Sequence, residues 1–193
     1  MEFTTGPIAP NSDNAFIIPG MVHYELKKFS GDVTLVKTPE QQLAALAEHP
    51  ERYHGVFDES ENLVAFTKFN DWRQADQIAF ESLGKQIQYK LDRHKEEHQS
   101  VAGRPLGIFA LTSYWGLSWA DSVTVSELLV DHVIKNADGR EIRIARFAHN
   151  PTDDPVWWAT NHRGFVDSGK FGRVAGAFQQ LAVRPVDEAS REV

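Results

Sequence analysis

The sequence predicts a single mixed α/β domain, with a central sheet of about seven strands flanked by helices. Three observations carry that prediction. Residues 105–133 open on an apolar, strand-like run (Leu106, Ile108, Phe109, Ala110, Leu111), pass a short loop around Gly116, and continue as an amphipathic helix from about Ser118. Thr38-Pro39-Glu40-Gln41 is a helix start, with a Thr cap, Pro at the first helical position and Gln three residues after the cap. From there to Val183 the periods alternate as helix, hairpin, helix, strand, helix, strand, helix, hairpin, which is the pattern of one α/β domain.

In chain order, residues 1–20 hold Gly6, Pro7, Pro10, Pro19 and Gly20 among small polar residues and read as a flexible arm. Residues 21–186 are expected to form the domain and 187–193 a frayed tail. Val22–Phe29 alternates weakly and, with Val33–Val36, reads as a first, split strand. The helix begun at Thr38 runs through Leu43 and Leu46 and stops before Pro50. Tyr53–Phe57 and Leu63–Phe69 read as a hairpin around the polar turn Asp58–Asn62. In Trp72–Gln99 the residues Phe80, Leu83, Ile87 and Leu91 recur at three or four, which predicts a long helix between the third and fourth strands. One face of it is apolar and the other charged, so it could serve a homodimer or a partner. After the central helix, Glu141–Ala148, a short helix Val156–His162, and strands Phe165–Lys170 and Ala177–Val183 complete the domain.

Composition narrows the function. A net charge of −7 opposes binding to nucleic acid or anionic membrane. No apolar run reaches the roughly 20 residues that span a bilayer. The start MEFTTGPIAPNSDN lacks the basic beginning and apolar core of a signal peptide, so a cytoplasmic protein is expected. The chain has no cysteine, which removes disulfides, thiol nucleophiles and thiolate metal sites.

A strand that enters a loop whose amides open a helix is an anion site by geometry, because loop N–H groups and the positive helix end meet there. His94-Lys95-Glu96-Glu97-His98 matches H-x-x-E-H, with both imidazoles on one helix face. Flanking charges and the lack of a placed third ligand favour a solvated helix end, and no metal is expected. Arg140, Arg143 and Arg146 are read along one strand face, able to meet an acidic group or, more ordinarily, protein carboxylates. Trp115, Trp119, Trp157 and Trp158 are candidates for an apolar cleft or for plain core packing.

The element order, from about Val33 to Val183, resembles the GNAT family of acyl-CoA-dependent N-acyltransferases. Ser113-Tyr114-Trp115-Gly116-Leu117-Ser118 stands where that family has a pyrophosphate loop, with the central glycine kept and the basic first position absent. Leu128-Leu129 matches a helical Leu pair, and Gly164-Phe165 matches a Gly-Phe pair that follows the late helix. Thr160 stands where many members carry a tyrosine that protonates the CoA thiolate, and Asp153 stands where they carry an asparagine, with Asn150 close by.

The resemblance implies acetyl-CoA or another acyl-CoA as substrate and direct attack by an amine on the thioester. The amine would belong to a small molecule or a protein. It implies that Leu106–Thr112 and Glu141–Ala148 splay to take the pantetheine arm. Cofactor contacts would then come from Leu111, Thr112, Trp115, Gly116, Leu117, Ser118, Trp119 and Asn150. His149, at the end of a central strand, is the candidate base, and a backbone-bonded loop histidine is the rival account. Tyr114 is the remaining candidate acid, against simple aromatic packing. Thr160 cannot fill that role, since an alkyl hydroxyl does not ionise usefully. The alternative function is a catalytically silent GNAT-fold binding or regulatory protein.

Overall fold

The computed structural model describes residues 2–81, 103–114, 116–147, 154–174 and 177–186. Strands β1 (Thr4–Pro7), β2 (Tyr53–Phe57), β3 (Leu63–Asp71), β4 (Leu106–Ser113), β5 (Ile142–Phe147), β6 (Val166–Val174) and β7 (Ala177–Arg184) build one sheet. Its order is β1-β2-β3-β4-β5-β7-β6, and only the β4–β5 pairing is parallel. The helices are α1 (Asp13–Phe16), α2 (Ile18–Lys28), α3 (Pro39–Glu48), α4 (Gln74–Glu81), α5 (Trp119–Asn136) and α6 (Pro155–His162).

The first 30 residues correct the sequence reading. Thr4–Pro7 is an edge strand paired antiparallel with β2, a position where proline's missing N–H costs no ladder bond. The segment is docked rather than loose: Ile8 is buried, Ser12 caps α1, and Asn14 bonds both Glu61 O and the Leu63 amide. Val22–Phe29, expected as a strand, lies largely within α2. Its buried positions Ile18, Met21, Leu26 and Phe29 recur at helical spacing, and Pro19 sits in the first turn, where a missing N–H is tolerated. The helix closes with Ser30 at φ 58° and the Gly31 amide bonded back to Leu26 O. Val33–Leu35 is a single 3₁₀ turn.

Elsewhere the elements fall as expected. The capping box of α3 is complete, with Thr38 Oγ1 accepting from the Gln41 amide and the Gln41 side chain accepting from the Thr38 amide. A helix does lie between β3 and β4. This helix, α4, packs Phe80 with Trp72 and Leu181, against Phe109, Ala145 and Val183 on β4, β5 and β7. The buried Arg73–Asp76 pair sits at its start, with Nε to Oδ2 at 3.0 Å. The H-x-x-E-H stretch and Ile87 lie outside the described residues.

The main core joins Ile108, Leu111, Ile142 and Ile144 of the sheet to Val125, Leu129, Val130 and Val133 of α5 and to Ala159 of α6. A second core places Ile18, Met21 and Leu46 of α2 and α3 on Leu63 and Phe66 of β3. Thus α5 and α6 share the main core with the sheet, while α2, α3 and α4 bury their apolar sides in the other two.

The three arginines do not share a face. A spacing of three puts Arg143 and Arg146 on opposite sides of β5. All three meet protein partners: Arg140 meets Asp71 at 2.8 Å, Arg143 meets Glu141 at 2.6 Å, and Arg146 meets Asp167.

Candidate functional site

The site begins where two parallel strands part. β4 and β5 pair only at Leu106↔Ile142, Gly107↔Arg143 and Ile108↔Ile144. Beyond that point β4 stays paired with β3 as far as Ser113, and β5 stays paired with β7 as far as Phe147. The register shift between β3 and β4 falls at the same level: Phe69 faces Ile108 and Lys68 faces Ala110, leaving Phe109 as the extra residue of a bulge. A bulge bends and overtwists its strand, which turns β4 away from β5 where their pairing stops. The result is a fork whose two strand edges pair with each other no further than Ile108 and Ile144 among the described residues.

β4 then delivers its end to the N-terminus of α5. The Tyr114 amide bonds Val64 O, and the Leu117 amide turns back onto Tyr114 O. Ser118 caps α5, its Oγ accepting from the Asp121 amide and donating to the Asp121 carboxylate at 2.7 Å. The amides of Gly116, Ser118, Trp119 and Ala120 find no acceptor among the described residues. They make a set of open donors at a positive helix end. A Cβ on Gly116 would stand 2.8 Å from the Tyr114 ring, so a side chain there would have to displace that ring from the cavity wall.

A cavity of about 220 Å³ opens beside this loop. Its wall combines Ser113, Tyr114 and Leu117 with Trp119 and Ser122 of α5, Pro155 and Val156 of α6, and Tyr24, Glu25 and Lys28 of α2. Of the residues singled out from the sequence, Tyr114, Leu117 and Trp119 therefore meet in one cavity. Leu111 and Thr112 are buried in β4 just before it, and Gly116 and Ser118 form the loop. Trp115, His149, Asn150 and Asp153 lie outside the described residues. Trp157 does not line the cavity; it lies beneath the Arg146 guanidinium, 5.8 Å from its ring centre.

Thr160 is fully buried, accepting from Arg146 at 2.7 Å and donating to Val156 O at 2.8 Å. It is held as a structural hydroxyl, away from the cavity wall.

Sequence reasoning missed Glu25. Burial pushes its carboxyl up to about 7; Lys28 opposes this and Asp154 adds to it. Asp154, at the cap of α6, is also raised, chiefly by burial, against the pull of the Val156 and Trp157 amides and of Lys28 and Arg146. The available signal was the helical spacing of Ile18, Met21 and Leu26. Read as a helix, it puts Tyr24, Glu25 and Lys28 on neighbouring turns at the C-terminal half of α2.

The fold is that of the GNAT acetyltransferases. A GNAT-family acetyltransferase from Streptococcus agalactiae superposes with a TM-score of 0.63 at 10% identity, over 96% of this chain and 96% of that one. The yncA protein of Salmonella typhimurium, solved with its cofactor acetyl-CoA, gives a TM-score of 0.61 at 12% identity, over 96% and 95%. A chain of the NatC complex, solved bound to Gag peptide and CoA, gives 0.61 at 13% identity, over 97% and 100%. No family model and no curated protein matches the sequence. No helix among the described residues is long and apolar enough to cross a membrane.

Proposed function

We propose that this protein is an acyl-CoA-dependent N-acyltransferase, using acetyl-CoA and an amine borne by a small molecule or a protein, in the cytoplasm. The observation that carries the reading is the fork between β4 and β5 opening beside the uncapped amides at the start of α5. Two strand edges whose ladder to each other ends at Ile108 and Ile144 among the described residues suit an amide-rich arm such as pantetheine, and the helix end suits its pyrophosphate. In this reading Leu111 and Thr112 flank the arm, and the amides around Gly116–Trp119 take the phosphates. Trp115 and Asn150 complete the cofactor contacts.

The ammonium of the acceptor must lose a proton before its nitrogen can attack. A base of near-neutral proton affinity on the cavity wall serves best, and Glu25 meets both conditions. His149, in the loop after β5, is the second candidate. With Thr160 engaged by Arg146, Tyr114 is the acid left to meet the departing thiolate.

One observation favours a catalytically silent, ligand-binding protein instead. Asp121 places a carboxylate in the first turn of α5, where it would repel a phosphate, and the loop carries no basic residue to offset it. Calorimetry separates the two readings. Micromolar binding of acetyl-CoA that Gly116→Trp abolishes is the expected result. No heat at millimolar acetyl-CoA overturns the acyltransferase reading.

A further inference from the structure

Two side chains of opposite charge stand together on the α2 wall of the cavity. Glu25 and Lys28 both line it. Three apart on a helix, they share one side of it, with Cβ atoms about 5–6 Å from each other. Among the described residues neither side chain makes a hydrogen bond or an ion pair, with the other or with a third group. Lys28 Nζ lies over the Phe29 ring, 5.0 Å from its centre. Around the two charges the wall is apolar and uncovered: Tyr24 and Trp119 are 43% and 46% exposed, and Leu117 and Val156 line the same space.

We propose that the acceptor is a free α-amino acid with an apolar side chain: Glu25 meets its ammonium, Lys28 meets its carboxylate, and the Tyr24 and Trp119 rings cover its side chain. The inference rests on the acyltransferase reading and names the acceptor for it. One carbon joins the two charged groups of an α-amino acid, so they suit two side chains one helical turn apart. An ion that leaves water needs a partner of opposite charge, and a zwitterion finds both partners here. An amine without a carboxylate, a protein lysine included, leaves Lys28 uncompensated and sets a second cation beside it. Size agrees. The cavity of about 220 Å³ is smaller than the roughly 300–1,000 Å³ of pockets that take drug-sized ligands.

The bound ammonium gives one proton to the Glu25 carboxylate, so an N–H bond breaks and an O–H bond forms. The freed lone pair attacks the thioester carbonyl. The C–N bond forms, the C–S bond breaks, and the second nitrogen proton leaves with the sulfur as the thiol. The product is an N-acyl amino acid, and Glu25 returns its proton to water. With its nitrogen now a neutral amide, the product keeps only the carboxylate contact at Lys28, which favours release.

The test sets L-leucine and L-phenylalanine against isoamylamine and phenethylamine, which are the same molecules without the carboxylate. Thiol release from acetyl-CoA by the full chain is the readout. Expected is a kcat/KM for each amino acid about 10- to 100-fold above that of its amine, the range for losing one hydrogen bond to a charged group. Lys28→Met should remove this preference, and Lys28→Arg, which keeps the charge, should retain it. The ratio is taken within one variant, so an effect of Lys28 on Glu25 or on folding falls on both acceptors and cancels. Amines used as well as the amino acids, or a preference that survives Lys28→Met, overturn the assignment. Thiol release with a lysine-bearing peptide and none with either amino acid overturns it too. Acetyl-CoA that binds in calorimetry without turnover of any of these acceptors overturns the amino-acid acceptor alone, whereas absence of acetyl-CoA binding overturns the acyltransferase reading itself.

Discussion

If Glu25 is kept as a base, the fold should be more stable without its charge, and the penalty should depend on pH in a defined direction. The carboxyl lies at about 7 in the folded protein against an ordinary 4.5. Between those values the folded state binds more protons than the unfolded chain. This group therefore favours folding fully below pH 4.5, and that contribution is lost as pH rises through 7. At 1.36 kcal/mol per tenfold in proton affinity, the difference corresponds to at most about 3 kcal/mol. Glu25 is only partly shielded from water, so about half of that, ~1.5 kcal/mol, is the reasonable expectation. For a chain of this length each kcal/mol moves Tm by roughly 2–4 °C. Glu25→Gln should therefore melt about 3–6 °C above wild type at pH 8, and most of the gain should vanish at pH 5. Tryptophan-fluorescence melts of both proteins at the two pH values measure this directly. A variant that melts below wild type at pH 8, or by the same margin at both pH values, refutes the reasoning. The same substitution should depress acyl transfer, so stability and activity should move in opposite directions.

Two further perturbations test the scaffold. His54 and His132 stack at 3.4 Å between β2 and α5, and burial followed by the neighbouring ring pushes His54 down to about 4. Its neutral form stabilises the fold above pH 6.5, and that stability is lost as pH falls from 6.5 towards 4, by ~1.5 kcal/mol after allowing for partial exposure; His54→Phe should flatten this part of the melting profile, and an unchanged acid slope would count against it. Gly172 of β6 lies so close to α4 that an added Cβ would stand 2.1 Å from the Phe80 carbonyl oxygen. Gly172→Ala should cost about 2 kcal/mol by overpacking, read as a lowered Tm, and a variant as stable as wild type would show that α4 can shift without loss.

How the insertion between β3 and β4 is placed bears on the site. Phe80 and Trp72 cover Phe109 and Ala145, the first residues of each strand beyond the fork. Trp72 stacks on Phe109 with ring centres 5.7 Å apart. The apolar base of the fork is therefore closed on the α4 side, and the cavity lies on the side of α2 and the loop.

The strand-to-helix passage at 105–133, the capping box at Thr38, the hairpin and the late strands were legible in the sequence because each rests on local rules. Period, caps and turn residues act within a few positions of one another, so a window of the chain contains their cause. What failed was the reading of residues 4–29. Gly6 and Pro7 are breakers on their own, and become an edge strand only because β2 offers them a partner. Val22, Tyr24 and Leu26 alternate like a strand, yet Ile18 and Met21 find a core with Leu63 and Phe66 of β3 and Leu46 of α3, and that core selects the helix. The fork could be expected only through a resemblance, since it depends on a bulge set by β3 register and on the parallel partner β5, 36 residues on. The raised proton affinity of Glu25 could not be read from the sequence at all: it comes chiefly from burial, which exists only once α2 has been packed against the loop after β4 and the start of α6.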